Sequence, residues 1–101
     1  MSGHLWLSDD ALGRLDIPPG DIATAIEDAI AEKRAGQLHV SPKSAILPGG
    51  GRYAMATLAV GPELIVVKQV SVCPDNPALG LASTNGGIMV MDAHTGVLRA
   101  T

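Results

Sequence analysis

The stretch "IVVKQVSVCPDNP", residues 65–77, decides the fold class of this chain. Its β-branched and apolar residues alternate along one segment, which predicts a strand. Pro74 and Pro77, around Asp75 and Asn76, predict the turn that closes it. One charge interrupts the run: Lys68, flanked by Val66, Val67 and Val70. A buried ammonium needs a partner or must give up its proton, so the position of this lysine calls for an explanation. Strand alternation places Leu64, Val66, Lys68, Val70 and Val72 on one face, and Ile65, Val67, Gln69 and Ser71 on the other. Two readings follow. Lys68 is either an edge lysine whose stem covers apolar surface while its head reaches water, or a lysine waiting for an anion the size of a carboxylate.

Outward from this strand, the breakers "LPGGGR", "VGPE", "CPDNPALG" and "DAHTG" divide the sequence after Gly36 into about five strand candidates, at 38–47, 52–60, 63–73, 87–92 and 96–100. The first two connections are too short for crossover helices, so the first three strands are expected to form an antiparallel meander. Upstream, "PPGDIATAIEDAIAEKRAGQ" has the marks of one amphipathic helix: prolines at its start, Asp21 near the positive end, Lys33 and Arg34 near the negative end, and Gly36 after it. "HLWLSDDALGRL" predicts a short strand over 4–7 and then a brief helix capped by Ser8 and weakened by Gly13. The expected architecture is α+β, a mainly antiparallel sheet of about five strands packed against the long helix, with a short helix at the amino terminus.

The length of 101 residues suits one domain. Hydrophobic residues make up 47% of it, but Phe is absent and Trp6 and Tyr53 are the sole Trp and Tyr, so the core must be aliphatic. A net charge of −3 without a Lys/Arg cluster argues against nucleic acid as a partner. Cys73 is a single cysteine and implies no disulfide framework. The amino terminus has no basic region followed by an apolar stretch, and no apolar run approaches the roughly 20 residues of a membrane span. A soluble cytoplasmic protein is the expectation.

Few residues offer chemistry. Lys43, in "HVSPKSAIL", lies in a neighbouring strand candidate, next to Pro42, which marks an edge or a bulge. Alone it reads as a solvated edge charge; with Lys68 it could grip one carboxylate from the adjacent strand. "PGGGR" lacks the spacing and the terminal Lys-Ser/Thr of a phosphate loop and is read as a hairpin, and no Gly-x-Gly-x-x-Gly occurs. His4, His39 and His94 are scattered without metal-ligand spacing, so no metal is expected. Cys73 has no histidine close in sequence and reads as a packed thiol. No pair makes an acid and a base. The residues by themselves indicate a small-anion or interaction domain.

Taken in order, "LSDDALGRL", "IATAIEDAIAEKRAGQ", "SPKSAILPGGGRYAMATLAV", "VVKQVSVCPDNPALGL" and "GIMVMDAHTGVLRA" resemble the amino-terminal portion of the ornithine cyclodeaminase / mu-crystallin family, from about residue 5 onward. The strand lysine followed by Val-Ser-Val and Pro-Asp-Asn-Pro is the most specific piece. The resemblance implies a substrate-binding and dimerising domain, residues 1–101, of a two-domain enzyme whose Rossmann domain for NAD or NADP is absent from this chain. In that family a basic residue, often Arg, stands at the position of Lys43 and the strand lysine at that of Lys68, both associated with the substrate's carboxylate. The family's chemistry is hydride transfer at an amino or imino carbon alpha to a carboxylate. Examples are the conversion of ornithine to proline and ammonia, and ketimine reduction. The chain departs from the pattern at Lys43, a point charge in place of the bidentate Arg, at Ala56, where Met-Pro is common, and at Ala82, where "GLP" is common. A further substrate-side arginine and the aspartate credited with proton transfer would lie beyond Thr101. No catalytic residue is therefore expected within these residues, and the resemblance implies a truncated homodimer that binds an amino or imino acid but is inactive alone. The alternative is a standalone dimerising or small-carboxylate-binding module.

Overall fold

Residues 64–72 form the strand expected of them, and that strand organises the sheet. The computed structural model describes residues 3–101. Its elements are α1 (Asp9–Gly13), α2 (Pro19–Arg34), β1 (His39–Val40), β2 (Ser44–Gly49), β3 (Arg52–Val60), β4 (Leu64–Val72), a 3-10 turn (Asn76–Leu79), β5 (Thr84–Asp92) and β6 (Leu98–Ala100). Strands β2 to β6 run as an antiparallel meander, and β1 joins the same edge of β3 as β2 does. Eight residues of β4 pair with β3, from Ile65 opposite Val60 to Val72 opposite Tyr53. All nine pair with β5, from Leu64 opposite Asp92 to Val72 opposite Thr84.

The sheet has six strands among the described residues, not five, because the candidate over 38–47 is split. Val40 pairs with Ala59 and the Ser41 N–H donates to the Leu58 carbonyl at 3.0 Å, yet Ser44 pairs with Ala56. Pro42 and Lys43 therefore both stand opposite Thr57. Proline has no N–H to give the ladder, and the extra residue is absorbed as a bulge. The "PGGGR" segment is a hairpin turn: Gly50 and Gly51 have φ of 67° and 73°, the pair of positive values that a tight turn matching strand twist requires. At the amino terminus, the strand expected over 4–7 reduces to a parallel bridge between Leu5 and Ala100. Ser8 caps α1 as expected, its Oγ accepting from the Ala11 N–H at 3.0 Å.

Strand β5 begins at Thr84, three residues before the expected start at 87, and so takes in Gly86 and Gly87. Glycine disfavours strands, but here it is a requirement of the pairing. A Cβ on Gly86 would run into the carbonyl oxygen of Gln69 on β4, so only glycine lets the two backbones come this close.

Helix α2 has the expected boundaries but does not lie on the sheet. Ala29 and Glu32 approach Leu38, Ala59 and Gly61, and the remainder stands clear, with Ile22, Ile26 and Ile30 exposed at 50%, 56% and 52%. The link from α2 to β1, residues 35–38, is short and ties the carboxy-terminal end of the helix to the edge of the sheet. Both sheet faces are also open: among the described residues no hydrophobic side chain is fully buried. The surface area of 7601 Å² for 10.3 kDa exceeds the roughly 5,400 Å² of a compact monomer of this mass. The radius of gyration, 16.0 Å, exceeds the roughly 12.7 Å expected for this length.

Replacing Gly86 with alanine should force β4 and β5 apart and cost about 1–3 kcal/mol. Thermal unfolding of the variant should show a lowered midpoint, whereas Gly87→Ala, where a Cβ meets nothing within 4 Å, should cost less.

Candidate functional site

Lys68 lies in the middle of β4, opposite Thr57 of β3 and Ile88 of β5. It is exposed, and among the described residues it has no ion pair and no hydrogen bond. Its face opens onto a concavity of about 800 Å³. The floor is made by Val70 and, on β5, by Gly86, Ile88 and Val90. The facing wall comes from the two ends of the chain: Trp6, Leu7 and Asp9 on one side, Ala100 and Thr101 on the other. The walls are mainly apolar, so an anion at Lys68 would meet the ammonium under reduced solvent screening.

Main-chain bonds hold that wall in place. The Leu5 N–H donates to the Arg99 carbonyl at 2.8 Å, the Thr101 N–H to the Leu5 carbonyl at 3.0 Å, and the Leu7 N–H to the Thr101 carbonyl at 2.9 Å. This ladder carries the amino-terminal segment past β6, and the Ser8 cap then turns it into α1 beside the concavity. His4 and Thr101 join through Nε2 and Oγ1 at 2.6 Å, and the His4 ring lies 4.4 Å from that of Trp6, tilted by 41°. The sequence reading of the site missed Trp6 and Asp9. Trp6 had one available signal, an indole in a chain almost free of aromatics; the approach of the two termini had none.

The second lysine stands elsewhere. Lys43 occupies the bulge opposite Thr57, the residue whose other neighbour is Lys68, so two strand spacings, about 9–10 Å, separate their backbones. Lys43 is exposed and does not line the concavity. His39 lies in β1, His94 in the loop after β5, and Cys73 is a half-buried free thiol at the end of β4. Among the described residues no three His, Cys, Asp or Glu side chains converge as a metal site, and no helix is long and apolar enough to cross a membrane.

No family model matches the chain. It is 33% identical over 93 residues to Delta(1)-pyrroline-2-carboxylate reductase 1 of Burkholderia multivorans, covering 89% of this chain and 28% of that protein. It is 37% identical over 84 residues to the Delta(1)-pyrroline-2-carboxylate/Delta(1)-piperideine-2-carboxylate reductase of Azospirillum brasilense, covering 80% and 26%. Among solved structures, Thermococcus litoralis Delta(1)-pyrroline-2-carboxylate reductase in complex with NADH and L-proline superposes with a TM-score of 0.85 at 27% identity, covering 95% of this chain and 30% of that one. The chain is similar in sequence to pyrroline-2-carboxylate reductases and shares the ornithine cyclodeaminase-like fold. It corresponds to the amino-terminal portion and spans less than a third of the length of these relatives. An archaeal alanine dehydrogenase dimer with bound NAD shares the fold, with a TM-score of 0.86 at 24% identity over 96% of this chain and 30% of that one.

The loop that places β6 beside the site depends on one carboxylate. Asp92 Oδ1 accepts from the N–H groups of His94 at 2.8 Å and Thr95 at 2.9 Å and from the Thr95 hydroxyl at 3.2 Å, while Oδ2 lies 3.6 Å from Arg99. The backbone bonds from Thr95 and then His94 hold the Asp92 carboxyl below the usual carboxylate range. A carboxylate whose pKa is lowered on folding stabilises the fold above its unfolded pKa, and that contribution disappears as pH falls through the lowered value. Stability from this loop should therefore be complete above about pH 4 and decline below it. In Asp92→Asn, acid titration followed by circular dichroism should show a shallower loss over that range, from a lower starting stability at neutral pH.

Proposed function

We propose that this chain forms the substrate-binding and dimerising portion of a cytoplasmic NAD(P)-dependent reductase of small cyclic imino acids, with Lys68 receiving the substrate's carboxylate. The observation that carries this reading is the unpartnered Lys68 ammonium in an otherwise mainly apolar concavity. A ring of five or six atoms bearing one carboxylate presents the same arrangement in reverse, an apolar body with a single anionic end. The relatives whose names specify pyrroline- and piperideine-2-carboxylate support that substrate class. The Thermococcus protein, solved with L-proline and NADH, supports the pairing of a cyclic amino acid with a nicotinamide.

Lys43 is the second grip in this proposal. Two ammonium groups on long stems, based about 9–10 Å apart across Thr57, can reach one carboxylate if both rise on the same side of the sheet. The role of the chain is to position: a charge-assisted carboxylate contact fixes the alpha carbon, and fixed geometry removes part of the barrier to a transfer at that carbon. The described residues do not fit a dinucleotide, since no strand leads through a glycine-rich turn into a helix. NAD or NADP would accordingly be held by residues outside these 101, and proton transfer is assigned to no side chain here.

The uncovered surface supports a dimer. The excess over a compact monomer, roughly 2,200 Å², is more than the approximately 800 Å² that each partner buries in a standard interface. Its apolar content includes the Ile22, Ile26 and Ile30 stripe of α2. A second copy of the chain is the proposed cover.

Titration of the 101-residue chain with L-proline and with pyrrole-2-carboxylate, followed by chemical shifts, tests the site. Lys68→Met should weaken binding of both by about tenfold or more, as expected for loss of a hydrogen bond to a charged group, and Lys43→Met by less. Unchanged affinity in Lys68→Met would sink the assignment. Sedimentation equilibrium should give twice the chain mass at micromolar concentration; a folded monomer would remove the proposed dimer.

A further inference from the structure

The indole of Trp6 is 77% exposed although it lines the wall of the Lys68 concavity. Exposure of so large an apolar side chain is unfavourable, and the local structure holds it there rather than letting it fold away. The neighbouring residues Leu5 and Leu7 are both tied to the carboxy-terminal strand region by main-chain bonds of 2.8–3.0 Å. The His4 ring stands 4.4 Å from the indole and is itself anchored by its 2.6 Å bond to Thr101. Part of the floor, at Gly86 and Gly87, carries no side chains. The site therefore presents an aromatic surface on a tethered segment, bare backbone, one ammonium and, from Asp9, one carboxylate.

We infer that Trp6 selects the ring of the ligand, its indole favouring a planar, unsaturated ring over a saturated one. This rests on the reading of Lys68 as the carboxylate grip. With the carboxylate held at β4, a flat ring can lie against the indole over its whole area, whereas a puckered ring touches it at its edge. A protonated ring imine adds a delocalised positive charge, which the indole face attracts. A saturated amine of the same size keeps the carboxylate contact but has neither a flat face nor a charge spread in the ring plane. The unsaturated acid is thus held more tightly than its reduced counterpart, and the reduced acid is released more readily.

Pyrrole-2-carboxylate and L-proline share size and carboxylate and differ in ring planarity and in the ring nitrogen, neutral in the first and protonated in the second. A Trp6-dependent preference for the first therefore reports the flat face against the pull of the cation. Binding of each to the 101-residue chain would be measured by calorimetry, alongside the emission of Trp6, the sole tryptophan. The wild-type chain should prefer pyrrole-2-carboxylate by about fivefold or more, the scale of an aromatic contact, and that ligand should change the Trp6 emission at saturation. Trp6→Leu should bring the two affinities within about twofold of each other, and Trp6→Phe should keep most of the preference. Lys68→Met should weaken both ligands and leave their ratio intact. A preference that survives in Trp6→Leu, an equal loss for both ligands in that variant, or a Trp6 emission indifferent to saturating pyrrole-2-carboxylate would overturn the inference while leaving the carboxylate grip standing. Failure of both ligands to bind the wild-type chain would overturn the carboxylate reading, and this inference with it.

Discussion

The double ladder of β4 is the constraint on which everything else in this chain depends. Along nearly its whole length its main chain is bonded on both sides, to β3 and to β5, and no other strand is so fully paired. Because side chains alternate strictly along a strand, this pairing fixes which residues share a face. A slip of one position would turn Lys68 to the opposite side and bring Gln69 into its place. The glycine at 86 belongs to the same constraint, since it permits the close approach of β5 at the point where the concavity has its floor.

The second organising feature is the meeting of the chain ends. The amino-terminal segment pairs with residues 99 and 101, closing a loop of almost the whole chain. Such a contact is entropically costly and is sustained by several bonds at once. Its consequence is local to the site: Trp6 and Asp9 line the same concavity as Lys68 because of it. The tight loop around Asp92 contributes from the other direction, holding β6 at the register that receives Leu5. The apolar surface that remains, on both sheet faces and on α2, has the composition of a core without the second layer that would make it one.

Much of the local structure was legible in the residues. The alternation in 64–72, the proline opening and basic close of α2, the Ser8 cap and the glycine turn at 50–51 each follow from chemistry within a few positions. The strand count is not legible where local signals compete: Pro42 marks an interruption, but whether it bends a strand or divides it depends on the opposing strand. The start of β5 is not legible because glycine argues against a strand unless a neighbouring backbone demands it. The packing of α2 is not legible because amphipathicity states that a helix needs cover and does not name the cover.

The sequence by itself determined the elements, the antiparallel order of the meander and the singular position of Lys68, because hydrophobic period, capping and turn chemistry act over short distances. It also carried the family resemblance, through the order of its segments. Only the tertiary structure decided which residues line the concavity of that lysine. Trp6 and Asp9 come to it across almost the full length of the chain, through main-chain bonds between the two termini. Main-chain hydrogen bonds of this kind are available to nearly any residue, so they leave no mark in the side-chain pattern from which a sequence is read.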